Sequence, residues 1–282
     1  MLDVHPATLF QAPHSIQRGS SLADLFNQEA LKLFDQIFSA VSPRPIKALD
    51  YDQLLDEMAE MGLMQRAAHI AKALQGRMPP DPQQQLALLR AALGPELESC
   101  ESFGLKSFFY LPYSALIASH AATAFDAGML ANYQLTKCFS AEFSIRPYIV
   151  ANQAAVLAQL HDWLDDPSAH VRRLISEGTR PRLPWGMRLK SLQADPRPVL
   201  PLLEQLKDDP SRYVTRSVAN HLGDMAKDHP AIMLAIAQRW LDESAELSAT
   251  LGSERRWLIR HALRYLDKKG HAQAQALRQA AR

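Results

Sequence analysis

Apolar residues recur at three- and four-residue intervals along most of the chain, and no strand-length alternation bounded by hairpin turns interrupts them. That period predicts helices. Ser20-Ser21 can start a first one, with Leu22, Leu25, Phe26, Leu33, Phe34, Ile37 and Phe38 as its apolar face, and the Pro-Arg-Pro run of 43–45 stops it. A second begins near Asp50 and carries Leu54, Leu55, Met58, Met61 and Leu63. A third covers roughly Met64 to Leu74, before the proline-rich loop of 78–82. Helix resumes with Leu86, Leu88, Leu89 and Leu93, and another spans about Gly128 to Ser140. Residues 1–19 hold two prolines and little periodicity, which predicts an extended, loosely packed arm.

From about residue 140 the pattern becomes a repeat. Asp166-Pro167-Ser168 and Asp209-Pro210-Ser211 each offer Asp as a helix N-cap and Pro as the first helical residue, and Ser253-Glu254 stands in the same role one period later. Seven positions after each start comes an arginine: Arg173, Arg216 and Arg260. Helix-pair repeats of this length are the signature of HEAT and armadillo solenoids. The expected fold is therefore all-α, a HEAT-like helical-repeat solenoid forming a single domain over 1–282, with 140–270 its best-defined repeats. Arginines in phase with the repeat line one surface of such a superhelix, which makes a concave basic groove the natural expectation. The alternative, equally open on these residues, is that each arginine pairs with an acid of the neighbouring repeat.

Charge distribution sharpens the contrast between the halves. Residues 1–139 carry 10 Lys+Arg against 14 Asp+Glu, whereas 140–282 carry 21 against 16. The second half is the one suited to a polyanion. A hydrophobic share of 47% with 22% charged residues is that of a folded globular chain. Cys100 and Cys138 have no His or Cys at metal-ligand spacing, which fits buried thiols in a reducing cytoplasm. The start, MLDVHPATLF, lacks the basic-then-apolar order of a signal peptide. Ser107 to Phe125 contains no Asp, Glu, Lys or Arg, but its proline, histidine, tyrosines and hydroxyls suit a buried helix far better than a bilayer span. Phosphate-loop, dinucleotide, HExxH, paired CxxC and serine-elbow motifs are all absent, so no metal or cofactor is expected.

Chemistry-bearing residues concentrate between 142 and 228. Arg172, Arg173, Arg180, Arg182, Arg188 and Lys190 crowd one region, and arginine forks suit phosphate oxygens. Trp185 ends the run GTRPRLPW, where flanking prolines either present its indole to a cleft or wedge it between repeats. Glu142 sits among apolar residues, and Asp224 falls beside the Val218-Leu222-Met225 stripe of its helix instead of squarely into solvent. Carboxylates so placed either cap and pair, or stabilise cationic charge as a glycosidic bond breaks.

At these residues the sequence resembles the AlkC/AlkD-like family of HEAT-repeat DNA alkylation repair glycosylases, most of all its AlkC branch. EFSIRPYI (142–149), HVRRLISEGTRPRLPW (170–185), DDPSRYVTRSVANHLGDMAKDHP (208–230) and RRWLIRHALRYLDKKG (255–270) carry the resemblance, in that order. It implies a monofunctional glycosylase: a positively charged base such as N3-methyladenine, or N3-methylcytosine, leaves duplex DNA without being protonated. Glu142 and Asp224 would stabilise the sugar cation, with Asp224 also orienting the water, and Trp185 would pack on the sugar or base, where cation–π attraction is worth roughly 0.5–2 kcal/mol. Arg173 and Glu177 would support the site; Arg146, Arg172, Arg180, Arg182, Arg216 and Arg260 would contact DNA. The resemblance further implies a cytoplasmic monomer without cofactor, gripping bent DNA and not a membrane. Thr215 and Gly223 replace the arginine and asparagine usual in the family, and no C-terminal immunoglobulin-like extension is expected.

Overall fold

The computed structural model describes residues 4–100 and 104–282, and among these every regular element is a helix. Two compact units divide the chain, 1–151 and 152–282. Unit 1 contains α1 (Gln28–Val41), α2 (Tyr51–Glu57), α3 (Leu63–Gln75), α4 (Pro82–Ala91), α5 (Leu111–Ser119), α6 (Phe125–Cys138) and α7 (Ile145–Ala151). Unit 2 contains α8 (Gln153–Asp162), α9 (Ala169–Gly178), α10 (Lys190–Ala194), α11 (Leu200–Leu206), α12 (Arg212–Met225), α13 (Pro230–Glu243), α14 (Ala249–Ala262), α15 (Arg264–Lys268) and α16 (Ala272–Ala280).

In unit 1, α5 packs against α3, α6 and α7, and α4 against α6. The uncharged stretch accounts for that placement: Leu111, Tyr113, Leu116 and Ile117 are all buried, so the helix has apolar neighbours on several sides. No helix among the described residues is long and apolar enough to cross a membrane. Gly128 lets α6 and α7 touch, because a Cβ there would fall 1.9 Å from the Tyr148 hydroxyl oxygen. That hydroxyl in turn donates to the Ile117 carbonyl at 2.8 Å.

Three expectations change in this unit. The first predicted helix is broken: Leu22–Leu25 is a 3-10 turn, and Asn27 then caps α1 by accepting from the Ala30 N–H. An asparagine side chain satisfies the start of a helix better than it continues one. The buried residues of the first turn are accordingly Ala30 and Leu31, while Leu33 is half-buried. The arm is also less loose than its prolines suggested. Its first three residues lie outside the described ones, but Pro6–Leu9 forms a 3-10 turn and Phe10 is buried with its ring 5.2 Å from that of Phe109.

Unit 2 stacks its repeats directly, with α12 packed between α9 and α14. Behind that row, α11 packs on α9 and α12, and α13 on α12, α14 and α16. The Asp-Pro-Ser starts work differently from the expectation. Ser168 and Ser211 are the N-caps, while Asp166 and Asp209 each accept from the N–H of the serine two residues on, both at 2.8 Å. The aspartates thus form turns that lead into the helix, a known habit of this side chain. Ser253 is no cap at all. It lies inside α14, whose start is capped by Ser248 accepting from the Leu251 N–H.

Candidate active site

In unit 2 the end of α9 and the second half of α12 enclose a chain of charged groups. Glu177, in the last turn of α9, is 5% exposed; Arg180, just beyond it, is 9% exposed; Asp224 on α12 is 4% exposed. Arg180 donates through Nη1 to Glu177 Oε1 at 2.6 Å and through Nε to Asp224 Oδ2 at 2.8 Å. The Ser217 hydroxyl donates to Glu177 Oε2 at 2.6 Å, and Lys227 Nζ to Asp224 Oδ1 at 2.9 Å. Arg173 adds a looser contact to Glu177 at 3.6 Å while its guanidinium lies 4.9 Å over the Tyr213 ring. Charges this far from water persist only when paired and hydrogen-bonded, and here they are.

The electrostatics follow from the geometry. Burial alone would raise the Glu177 carboxyl, but Arg173, Arg180 and the Ser217 hydroxyl outweigh it and hold it below the ordinary glutamate value. Burial likewise opposes the Arg180 charge, which Glu177 and Asp224 more than restore. His221, one turn before Asp224, is fully buried and pushed down to about 4 by that burial. Its Nδ1 lies 3.0 Å from the Ser176 carbonyl, an arrangement that a neutral ring satisfies by donating from Nδ1. It clips α12 to α9 directly behind the ion pairs.

The loop after Arg180 is held by a second clamp. Arg182 Nε and Nη2 donate to the two oxygens of Asp228 at 2.7 and 2.6 Å. Beyond it, Trp185 is 61% exposed, at φ 60°, the only non-glycine with positive φ among the described residues. A bulky residue in that region is strained, and such strain gathers at functional positions. Leu183 is buried beneath the loop and Gly186 presses against it, so that a Cβ at 186 would meet Leu183 Cδ2 at 2.9 Å. The indole is presented outward by a loop anchored at both sides.

Glu142 lies in unit 1, in the link between α6 and α7. Ser140 Oγ donates to its Oε2 at 2.9 Å and accepts its N–H at 3.4 Å. Ser144 donates to Asn132 Oδ1 at 2.6 Å, and Asn132 donates to the Gly128 carbonyl at 2.9 Å, which fixes the link to α6.

Several expected DNA contacts belong elsewhere in the structure. Arg146 has no exposed surface, so in this conformation it is no phosphate ligand. Arg180 is the buried centre of the ion-pair chain, and Arg182 is clamped to Asp228. Arg172 grips Asp209 with Nε and Nη2 at 2.6 and 3.1 Å, joining one repeat to the next. Arg172, Arg180 and Arg182 thus pair with acids of the next repeat, whereas the in-phase Arg173 meets Glu177 of its own helix. Arg216 is exposed and, among the described residues, has no ion pair. Arg260 donates to the Ala281 carbonyl, and burial together with Arg256, Arg278 and Arg212 pulls its pKa down. Crowding of like charge on that side makes a surface ready for anions. Sequence reasoning missed Ser217, His221 and Lys227, whose helical spacing from Asp224 was the available signal. No cluster of His, Cys, Asp or Glu suited to a metal occurs among the described residues.

The fold and site together define a helical-repeat protein with a buried, cation-compensated carboxylate and, on the loop after Arg182, an outward-facing tryptophan. No family model matches the chain. An uncharacterised Bacillus subtilis protein, YhaZ, is 32% identical over 259 residues, covering 92% of this chain and 68% of its own. Among solved structures, the Pseudomonas fluorescens alkylpurine DNA glycosylase AlkC, bound to DNA containing an abasic site analog, is 37% identical. It superposes with a TM-score of 0.77 over 92% of this chain and 67% of its own. The chain belongs to the AlkC-like family.

Proposed function

We propose that the protein is a DNA glycosylase that hydrolyses the N-glycosidic bond of cationic alkylated bases, N3-methyladenine and N3-methylcytosine, in duplex DNA. The observation that carries this reading is Asp224: a carboxylate held almost out of water at the end of a helix, in a chain similar to a glycosylase solved on abasic DNA. A base that already bears positive charge departs with the bonding electrons and becomes neutral, so no general acid is required. The charge that remains is on the sugar. Asp224 stabilises that developing cation and orients the water that attacks it, and its effect is large because water does not screen it. Trp185 packs on the sugar or the charged base. Glu177 and Arg180 act on Asp224 by positioning it. Glu142 is assigned as a second stabilising carboxylate by the family resemblance. Exposed Arg216 and the neighbouring arginines grip phosphates without reading sequence.

Incubation of the whole chain with duplex DNA carrying N3-methyladenine tests this directly. The expected products are free N3-methyladenine and alkali-labile abasic DNA, and Glu142→Gln lowers their rate at least about tenfold, as loss of transition-state charge stabilisation does. Binding that weakens steeply with salt but releases no base would instead identify a catalytically silent protein of bent or branched DNA. Arg216→Ala is expected to reduce the slope of log affinity against log salt by about one.

A further inference from the structure

Asp224 spends both carboxylate oxygens on cations, and the two cations are not equivalent. Arg180, on Oδ2, is 9% exposed and has a second grip on Glu177, so it cannot leave without stranding two buried acids. Lys227, on Oδ1, follows the C-terminal end of α12 and is exposed. Among the described residues the one hydrogen bond of its ammonium is to Asp224, at 2.9 Å. Its ammonium also lies 5.7 Å from the centre of the Tyr265 ring, and that ring is 37% exposed. A carboxylate on one side and an aromatic face on the other make a cation site of familiar chemistry, and its resident is an exposed lysine.

We propose that Asp224 and Tyr265 form the site that recognises positive charge, and that Lys227 is an exchangeable stand-in which a cationic sugar or base must displace. The proposal rests on Asp224 being the acid at the reacting sugar, and it explains how an acid already paired twice becomes available. Lys227 returns to water when it leaves, so the exchange is cheap: a partly exposed ion pair is worth a factor of about five at most. A neutral nucleotide cannot take the vacated oxygen without leaving a buried carboxylate one cation short. The lysine therefore acts as a specificity residue, admitting only a ligand that brings its own charge.

The test compares two duplexes, one with a pyrrolidine abasic nucleotide, cationic at neutral pH, and one with a neutral tetrahydrofuran abasic nucleotide. Dissociation constants of the full chain are measured over a series of salt concentrations, the two duplexes compared at each, for wild type, Lys227→Met, Lys227→Gln, Tyr265→Leu and Asp224→Asn, each checked for an intact thermal transition. The wild type is expected to prefer the cationic duplex. Either Lys227 variant raises that preference about two- to fivefold, the size of a lost competing ion pair. Tyr265→Leu lowers it about two- to fivefold, and Asp224→Asn removes it. If the Lys227 variants weaken both duplexes equally and flatten the salt dependence, Lys227 is a phosphate contact; the stand-in role is overturned while the assignment of Asp224 stands. If Asp224→Asn leaves the preference unchanged, the acid assignment and the cation site fall together.

Discussion

In unit 1 the core is aromatic: the Phe109 ring lies 4.4 Å from Phe34, 5.2 Å from Phe10 and 5.5 Å from Tyr110, with Tyr113 beside them. In unit 2 the repeats are instead riveted by charge. Arg172 joins Asp209, Arg180 joins Glu177 to Asp224, Arg182 joins Asp228, and Arg255, 2% exposed, joins Asp208 to Glu243. Apolar contacts favour folding without needing orientation, whereas buried ion pairs roughly break even against their desolvation. What the second arrangement supplies is placement: side chains held at set distances, in low dielectric, with charge ready to act. The difference separates a unit whose interior serves stability from one whose interior also serves a site.

Substitutions in the two interiors sharpen that contrast. Phe109→Ala and Arg180→Met are each expected to cost about 3–5 kcal/mol, the first by cavity formation and the second by stranding buried acids. Chemical denaturation would show both losses, but excision per folded molecule should fall only for Arg180→Met. All four tryptophans lie in unit 2, so their fluorescence reports that unit while circular dichroism reports the whole chain. Equal loss of excision in the two variants would erase the distinction.

Acid should strike unit 2 through its buried groups. His221 protonates near 6.5 when unfolded but only at about 4 when folded, so the unfolded chain binds the extra proton between those values. Stability therefore falls as pH drops from about 6.5 to about 4, on the order of 3 kcal/mol from this group. Glu177, held low in the folded state, adds a loss of the same sign at still lower pH. Denaturation midpoints at pH 7, 5.5 and 4.5 follow this directly, and His221→Asn should flatten the upper part. The smallest effect expected is at Trp185. Trp185→Gly should leave stability unchanged or raise it by about 1 kcal/mol by relieving the positive φ, while slowing excision. A clear loss of stability would make the indole a packing residue.

The fold was legible because helical period, proline breaks and repeat spacing are local properties, and so was the burial of the uncharged stretch at α5. Helix starts were legible to within two residues at the Asp-Pro-Ser runs, where two capping oxygens are on offer and the serine took the N-cap, but not at Ser21 or Ser253, where Asn27 and Ser248 cap instead. Asp224 and Trp185 could be singled out because each sits where a packed core or plain solvent would not want it. The arginines could not be sorted. Whether Arg180 faces a phosphate or Asp224 depends on a partner 44 residues away, brought near by repeat stacking. The strained backbone at 185 was equally hidden, since proline spacing predicts a rigid loop but not its handedness.

Single-turnover excision of N3-methyladenine by the wild type and Asp224→Asn, with DNA affinity measured in parallel, tests the central claim most directly. The account predicts that the variant binds damaged duplex within about tenfold of wild type yet loses at least about a hundredfold in rate, the scale of a lost electrostatic stabiliser in a buried site. A folded Asp224→Asn protein that excises at the wild-type rate would contradict it.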